Sequence, residues 1–207
     1  MRLSQLLTLL ICMVAVSYAA ADNGCGNRAD EAGFGPFDYM DDKGYNLQIV
    51  EGRHLTPNII QMNRASGGSL LGDDLNYVLH AFPNHHIALR VMSDLAVREK
   101  TTKPLGASLS VECYFYRAIR FRPKDAVVRV LYGVHLTRSG KMQQALSEYK
   151  EAEKLEPNNV GILYNLGIYY FKQKDYEQSK AYAKKAYAHG YALPGLRKML
   201  IRAGKWD

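Results

Sequence analysis

Residues 80–90, HAFPNHHIALR, gather His80, His85 and His86 around one proline. Imidazole is the commonest metal ligand and the side chain best matched to proton transfer near neutral pH. A metal site needs three or four convergent ligands, whereas two adjacent histidines on a helix point apart. His54, brought over by an earlier segment, would complete a candidate set for a metal or cofactor carrier. The simpler reading makes Pro83 a corner between two helices, with His85 in the turn and His86 opening the next helix. On that reading these histidines hydrogen-bond locally, and no cofactor is expected.

Other chemistry is sparse. The sequence holds no HExxH, no phosphate-binding glycine loop and no GxSxG. SGGS at Ser66 to Ser69 reads as a turn, and Asp73 with Asp74 reads as capping and dipole charge at a helix start. An enzyme of unknown class is the third reading, behind a binding module and a carrier, because no catalytic motif is recognisable.

The elements that would position these residues begin after a leader. Met1 and Arg2 precede an apolar run from Leu6 to Val16 and small residues ending at Ala19 to Ala21, the layout of a secretory signal peptide over 1–21. The run is shorter than the roughly 20 residues that cross a bilayer, so no membrane span is expected after cleavage. Removing the leader leaves two cysteines, Cys25 and Cys113, in a chain bound for an oxidising compartment, where a disulfide between them is expected. The net charge of +7 falls by one with Arg2. Basic residues are mixed with acids along the chain, which reads as a solvated face and not as a nucleic-acid surface.

A repeat organises the second half. Gly133 and Gly167 are 34 residues apart, as are Leu136 and Tyr170, and Ala152 and Ala186. The units run over 126–159 and 160–193. They resemble the tetratricopeptide repeat: Gly133, Leu136, Ala145, Tyr149, Ala152 and Pro157 stand at the family's packing positions in the first, and Leu166, Gly167, Tyr170 and Ala186 in the second. Ser179, Ala183 and Tyr191 depart from the pattern, as suits a terminal unit. Small residues let the paired helices approach, and each unit needs a neighbour to cover its apolar face.

Counting prolines backwards through Pro157, Pro123 and Pro83 gives a degenerate unit within 75–125. It has a lead-in helix over Leu75 to Phe82 and an inserted loop, KTTKPLGAS. Leu89, Met92 and Ser93 fall at its helix-A core positions, with Phe115 and Ala118 on helix B. Residues 194–207 carry Leu196, Met199, Leu200 and Ala203 at helical spacing, a capping helix with Trp206 at its edge. The segment 22–74 shows no sustained helical period, yet Phe34, Phe37, Tyr39 and Tyr45 are too many aromatics for a solvated tail. It is expected to be an irregular arm lying on the repeats.

The fold class is therefore all-α, a solenoid of helical hairpins. The pieces CGN, GPFDY, FPNHH and ECYF also resemble exported bacterial tetratricopeptide proteins of poorly defined role, which implies a Gram-negative periplasm. The family resemblance implies a concave groove lined by the first helix of each unit. Carried over, its positions are Val127, Val130, Val134 and Thr137, then Gly161, Tyr164, Ile168 and Phe171. Asn165 matches an asparagine of the peptide-carboxylate-binding subclass, but Val130 and Tyr164 replace the lysines of that clamp. The groove is apolar and aromatic. It implies an exported scaffold or adaptor for a protein or peptide, an expectation weighed equally against burial of the same stripe between repeats.

Overall fold

The computed structural model describes Cys25 and residues 34–206; the expected leader lies outside the described residues. The order is α1 (Tyr45–His54), α2 (Pro57–Ile60), α3 (Leu71–Ala81), α4 (His86–Glu99), α5 (Val111–Phe121), α6 (Ala126–Arg138), α7 (Met142–Leu155), α8 (Val160–Lys172), α9 (Tyr176–Ala188) and α10 (Gly195–Arg202). The described residues contain no strand. The fold is a stack of helical hairpins: α6 lies along α7 and α8 along α9, while α4, α6 and α8 line up in succession and α10 covers α8 and α9.

Three corners with the same backbone join the units. Phe82, Arg122 and Glu156 end α3, α5 and α7 with φ of −131°, −132° and −139° and ψ of 85°, 85° and 76°. A proline follows each, and the residue before proline is driven out of the helical region. Two residues further on, His85, Asp125 and Asn159 cap the next helix. Their side chains accept from the backbone N–H of Ala88, Val128 and Ile162. Each corner thus stops one helix sterically and starts the next by satisfying a bare amide.

Close approach within the hairpins follows from the small residues. A methyl group on Gly133 would lie 2.7 Å from the ring of Tyr149 on α7, so the ring fills the space that glycine leaves. Gly167 faces two neighbours: a methyl there would meet Leu196 of α10 at 2.4 Å and the Ser179 carbonyl of α9 at 3.4 Å. Ala145, Ala152 and Ala186 are fully buried, Tyr170 stacks on Tyr182 at 5.5 Å, and Pro157 is exposed at its corner. In the degenerate unit Ser93 occupies the small position. It is buried, with its hydroxyl 2.9 Å from Nδ1 of His135 on α6.

The N-terminal segment differs from the expectation of an irregular arm. Residues 45–54 form α1, which packs on α3, so the lead-in helix is not alone and starts four residues before Leu75, at Leu71. Only Leu47 and Val50 of α1 are buried; Ile49 beside them is half-buried and Tyr45 is exposed, so its apolar residues make no sustained stripe on one face, which explains why no period is visible. Contact with α3 stabilises α1 where its own propensity does not.

The arm proper, from Phe34, runs over the first two corners. Phe37 N–H donates to the Ala81 carbonyl at 2.7 Å, and its ring packs on Phe82 at 5.4 Å. Gly35 has φ +106° and sits so close to Ala81 that a methyl would lie 2.7 Å from its carbonyl oxygen, so glycine is required there. Cys25 is bonded to Cys113 of α5, across 88 residues of sequence. The inserted loop between α4 and α5 docks on α3: the Ser108 N–H and hydroxyl, and the Tyr114 hydroxyl, all donate to Oδ1 of Asn76.

Candidate functional site

The four candidate histidine ligands do not converge. His54 lies 2.8 Å from Asp74, His80 donates to the Asn76 carbonyl at 2.8 Å, His85 lies 3.0 Å from Glu51, and His86 lies 2.9 Å from Asp125. Among the described residues, no group of three or more His, Cys, Asp or Glu side chains is arranged around a possible metal position. Asp74 also accepts from the Ser66 N–H and the Ser69 hydroxyl, and Asp73 accepts from the Leu70 N–H. These serines bond to the carboxylate and not to an imidazole, so SGGS and the aspartate pair build a helix start and not a nucleophile with its base.

His85 is fully buried, and burial, with His86 beside it, pushes its pKa down to about 3. It is therefore neutral. Its Nδ1 accepts from the Ala88 N–H at 3.3 Å, so Nε2 carries the proton and donates to Glu51. The ring of Tyr39 from the arm covers it at 4.1 Å. Next to it, Asn84 ties three segments: its Oδ1 accepts from Tyr39 N–H at 3.0 Å, and its amide donates to Asp38 at 2.8 Å and to Asp125 at 3.4 Å. Arg122 completes the set with ion pairs to Asp38 and Asp41. Burial opposes the ionisation of Asp38 and Asp125, but Asn84 and Arg122 around the first, and His86, the Val128 N–H and Asn84 around the second, outweigh it and lower both pKa values. The histidine corner is an anchor for the arm. Its polar atoms face one another.

The helix-A positions make a second feature. Val130 is buried, and Val127, Val134 and Asn165 are half-buried; the Asn165 amide donates to the Gly161 carbonyl at 2.8 Å. Tyr164, Ile168 and Phe171 pack against the cluster that includes Leu196 and Leu200 of α10. The Tyr164 hydroxyl accepts from the Leu196 N–H at 3.1 Å, and its ring stacks on Tyr191 at 4.1 Å. The cap therefore occupies much of the aromatic end of the predicted groove.

Aligning the helix starts at His85 and Asp125 extends the same face into α4, which sequence reasoning left out. Ile87, Arg90, Asp94 and Val97 take the places of Val127, Val130, Val134 and Thr137. Val97 is 49% exposed. Asp94 accepts from Arg90 at 3.0 Å and pairs with Arg138 of α6, which draws a charged strip across two units. The matching corner residues could have revealed this wall. The six extra residues between Pro83 and Pro123 lie after α4 and leave this register intact; it placed the core positions Leu89, Met92 and Ser93 but was not carried to the outer face.

On α5, one turn beyond Cys113, the guanidinium of Arg117 is buried with no hydrogen-bond partner among the described residues, and burial lowers its pKa.

A family model described as TPR repeat matches residues 135–174, from the end of α6 through α7 and α8. The match, on a stack of helical hairpins, supports the tetratricopeptide repeat family and with it a scaffold for protein–protein interaction. No curated protein matches the chain. No helix among the described residues is long and apolar enough to cross a membrane.

Proposed function

We propose that the protein is exported to the periplasm or secreted, and that it acts as an adaptor which binds a protein or peptide partner on the face lined by α4, α6 and α8. The observation that carries this reading is the half-buried stripe Val127, Val134 and Thr137, which continues into the exposed Val97 and the Arg90, Asp94 and Arg138 strip. An apolar track with a charged flank suits an amphipathic helix or extended peptide, the apolar side giving area and the charges giving register. The leader-like 1–21 and the Cys25–Cys113 bond support export, since disulfides persist outside reducing compartments. Four histidines each held by a separate partner leave a metal carrier as the weaker reading.

The test is crosslinking of the mature chain in its native envelope, beside a Val97→Glu, Val134→Glu variant shown to melt like the parent. Tyr164 and Phe171 are unsuitable because they support the cap. A partner held by the parent and lost by the variant supports the adaptor face. Equal capture by both contradicts it.

A further inference from the structure

At the far end of the stack, α9, α10 and the connection between them enclose a cleft of about 360 Å³. Tyr187, Tyr191, Pro194 and Trp206 form an apolar wall, and Lys184 and Arg197 stand over it. The Arg197 guanidinium lies 5.2 Å and the Lys184 ammonium 5.9 Å from the centre of the Trp206 ring. Tyr187 is held in place by both ends of its hydroxyl, which accepts from the Arg197 N–H at 3.1 Å and donates to the Leu193 carbonyl at 3.2 Å. Tyr191 is fixed by its stack on Tyr164. The aromatic wall is preorganised.

Among the described residues, no acidic side chain lines the cleft and neither Lys184 nor Arg197 has a carboxylate partner. That contrasts with Arg122, Arg129, Arg138 and Lys141, each of which is paired with an acid. Two cations that have no acid partner among the described residues, beside an aromatic wall, complement a ligand that is negative at one end and planar and apolar at the other. The volume lies at the low end of the roughly 300–1,000 Å³ typical of small-molecule sites. We infer that this cleft is a binding site for a small aromatic carboxylate, with its ring against Tyr191 and Trp206 and its carboxylate between Lys184 and Arg197. No residue of α4, α6 or α8 lines the cleft, although Tyr191 stacks on Tyr164 of α8, and the inference does not depend on the adaptor reading.

Trp206 is the single tryptophan of the chain, so its fluorescence reports on this cleft alone. The full chain is titrated with 3-phenylpropionate, 3-phenylpropionamide and propionate, reading Trp206 emission and ligand saturation-transfer NMR together. The expected result is saturable binding of 3-phenylpropionate, with the amide and the ringless acid each weaker by about tenfold or more, the worth of one charge-assisted contact or of one buried ring. A Lys184→Gln, Arg197→Gln variant, altered only at exposed positions, should lose the preference for acid over amide. No saturable binding of 3-phenylpropionate would overturn the inference, as would equal binding of acid and amide by the parent. A preference retained in the variant would also overturn it. The acid and amide comparison on the parent stands even if the variant folds poorly.

Discussion

At the residue scale, the corner around Pro83 shows how a histidine cluster becomes structural. His85 is a helix cap, a donor to Glu51 and a platform for Tyr39, and the first of these roles requires the neutral ring, because a protonated Nδ1 could not accept from the Ala88 N–H. Its folded pKa of about 3 lies far below the ordinary 6.5. Between those values the unfolded chain takes up a proton that the folded chain refuses, so the stabilisation is complete above pH 6.5 and is lost as pH falls from there towards 3. The slope is up to about 1.4 kcal/mol per pH unit for one such group. His135, whose pKa burial also lowers, acts in the same direction, whereas Glu51, whose pKa burial raises, offsets part of the loss near its own titration. Melting of a His85→Asn variant, which keeps a capping oxygen, should depend less steeply on pH between 6.5 and 4 than melting of the parent. An unchanged slope would assign the acid sensitivity elsewhere.

At the element scale, the fit between helices rests on a few positions. Gly133→Ala places a methyl 2.7 Å from the Tyr149 ring, which is itself packed edge to face on Tyr169 at 5.9 Å. The ring has little room to retreat, so a loss of about 1–3 kcal/mol, read by denaturant unfolding, is expected. A stability equal to that of the parent would show that α6 and α7 are not locked through this contact. These elements were legible in the sequence because Gly133 and Gly167, and Ala152 and Ala186, recur at one spacing and a proline follows each of α3, α5 and α7, each with a steric cause. α1 was not legible, since Leu47, Ile49 and Val50 do not repeat at helical spacing over its length and its stability comes from α3. The groove residues were legible as a stripe on helix A. That Tyr164, Ile168 and Phe171 would lie against α10 was not, because the stripe has the same composition whether a partner or a cap covers it.

At the scale of the whole molecule, the chain is one stack of hairpins whose apolar core continues from α1 to α9, with α10 closing the last unit. Solenoids lose order from their ends, where a unit has a neighbour on one side only. Each end here has its own fastening. At one end the cap buries Leu196 and Leu200. At the other, the arm is held by Asn84, by Arg122 and by the bond from Cys25 to Cys113, which closes a loop of 88 residues. A loop of that length removes chain entropy worth on the order of 4 kcal/mol from the unfolded state. The face lined by α4, α6 and α8 lies between these fastenings.

Hydrogen exchange followed by mass spectrometry, on the chain with the bridge intact and with it reduced, tests this arrangement most directly. Reduction should speed exchange first in residues 34–54, the arm and α1, while α6 to α9 keep most of their protection. Equal loss of protection through all the helices, or no change anywhere, would contradict a stack fastened at its first end by the arm and its bridge.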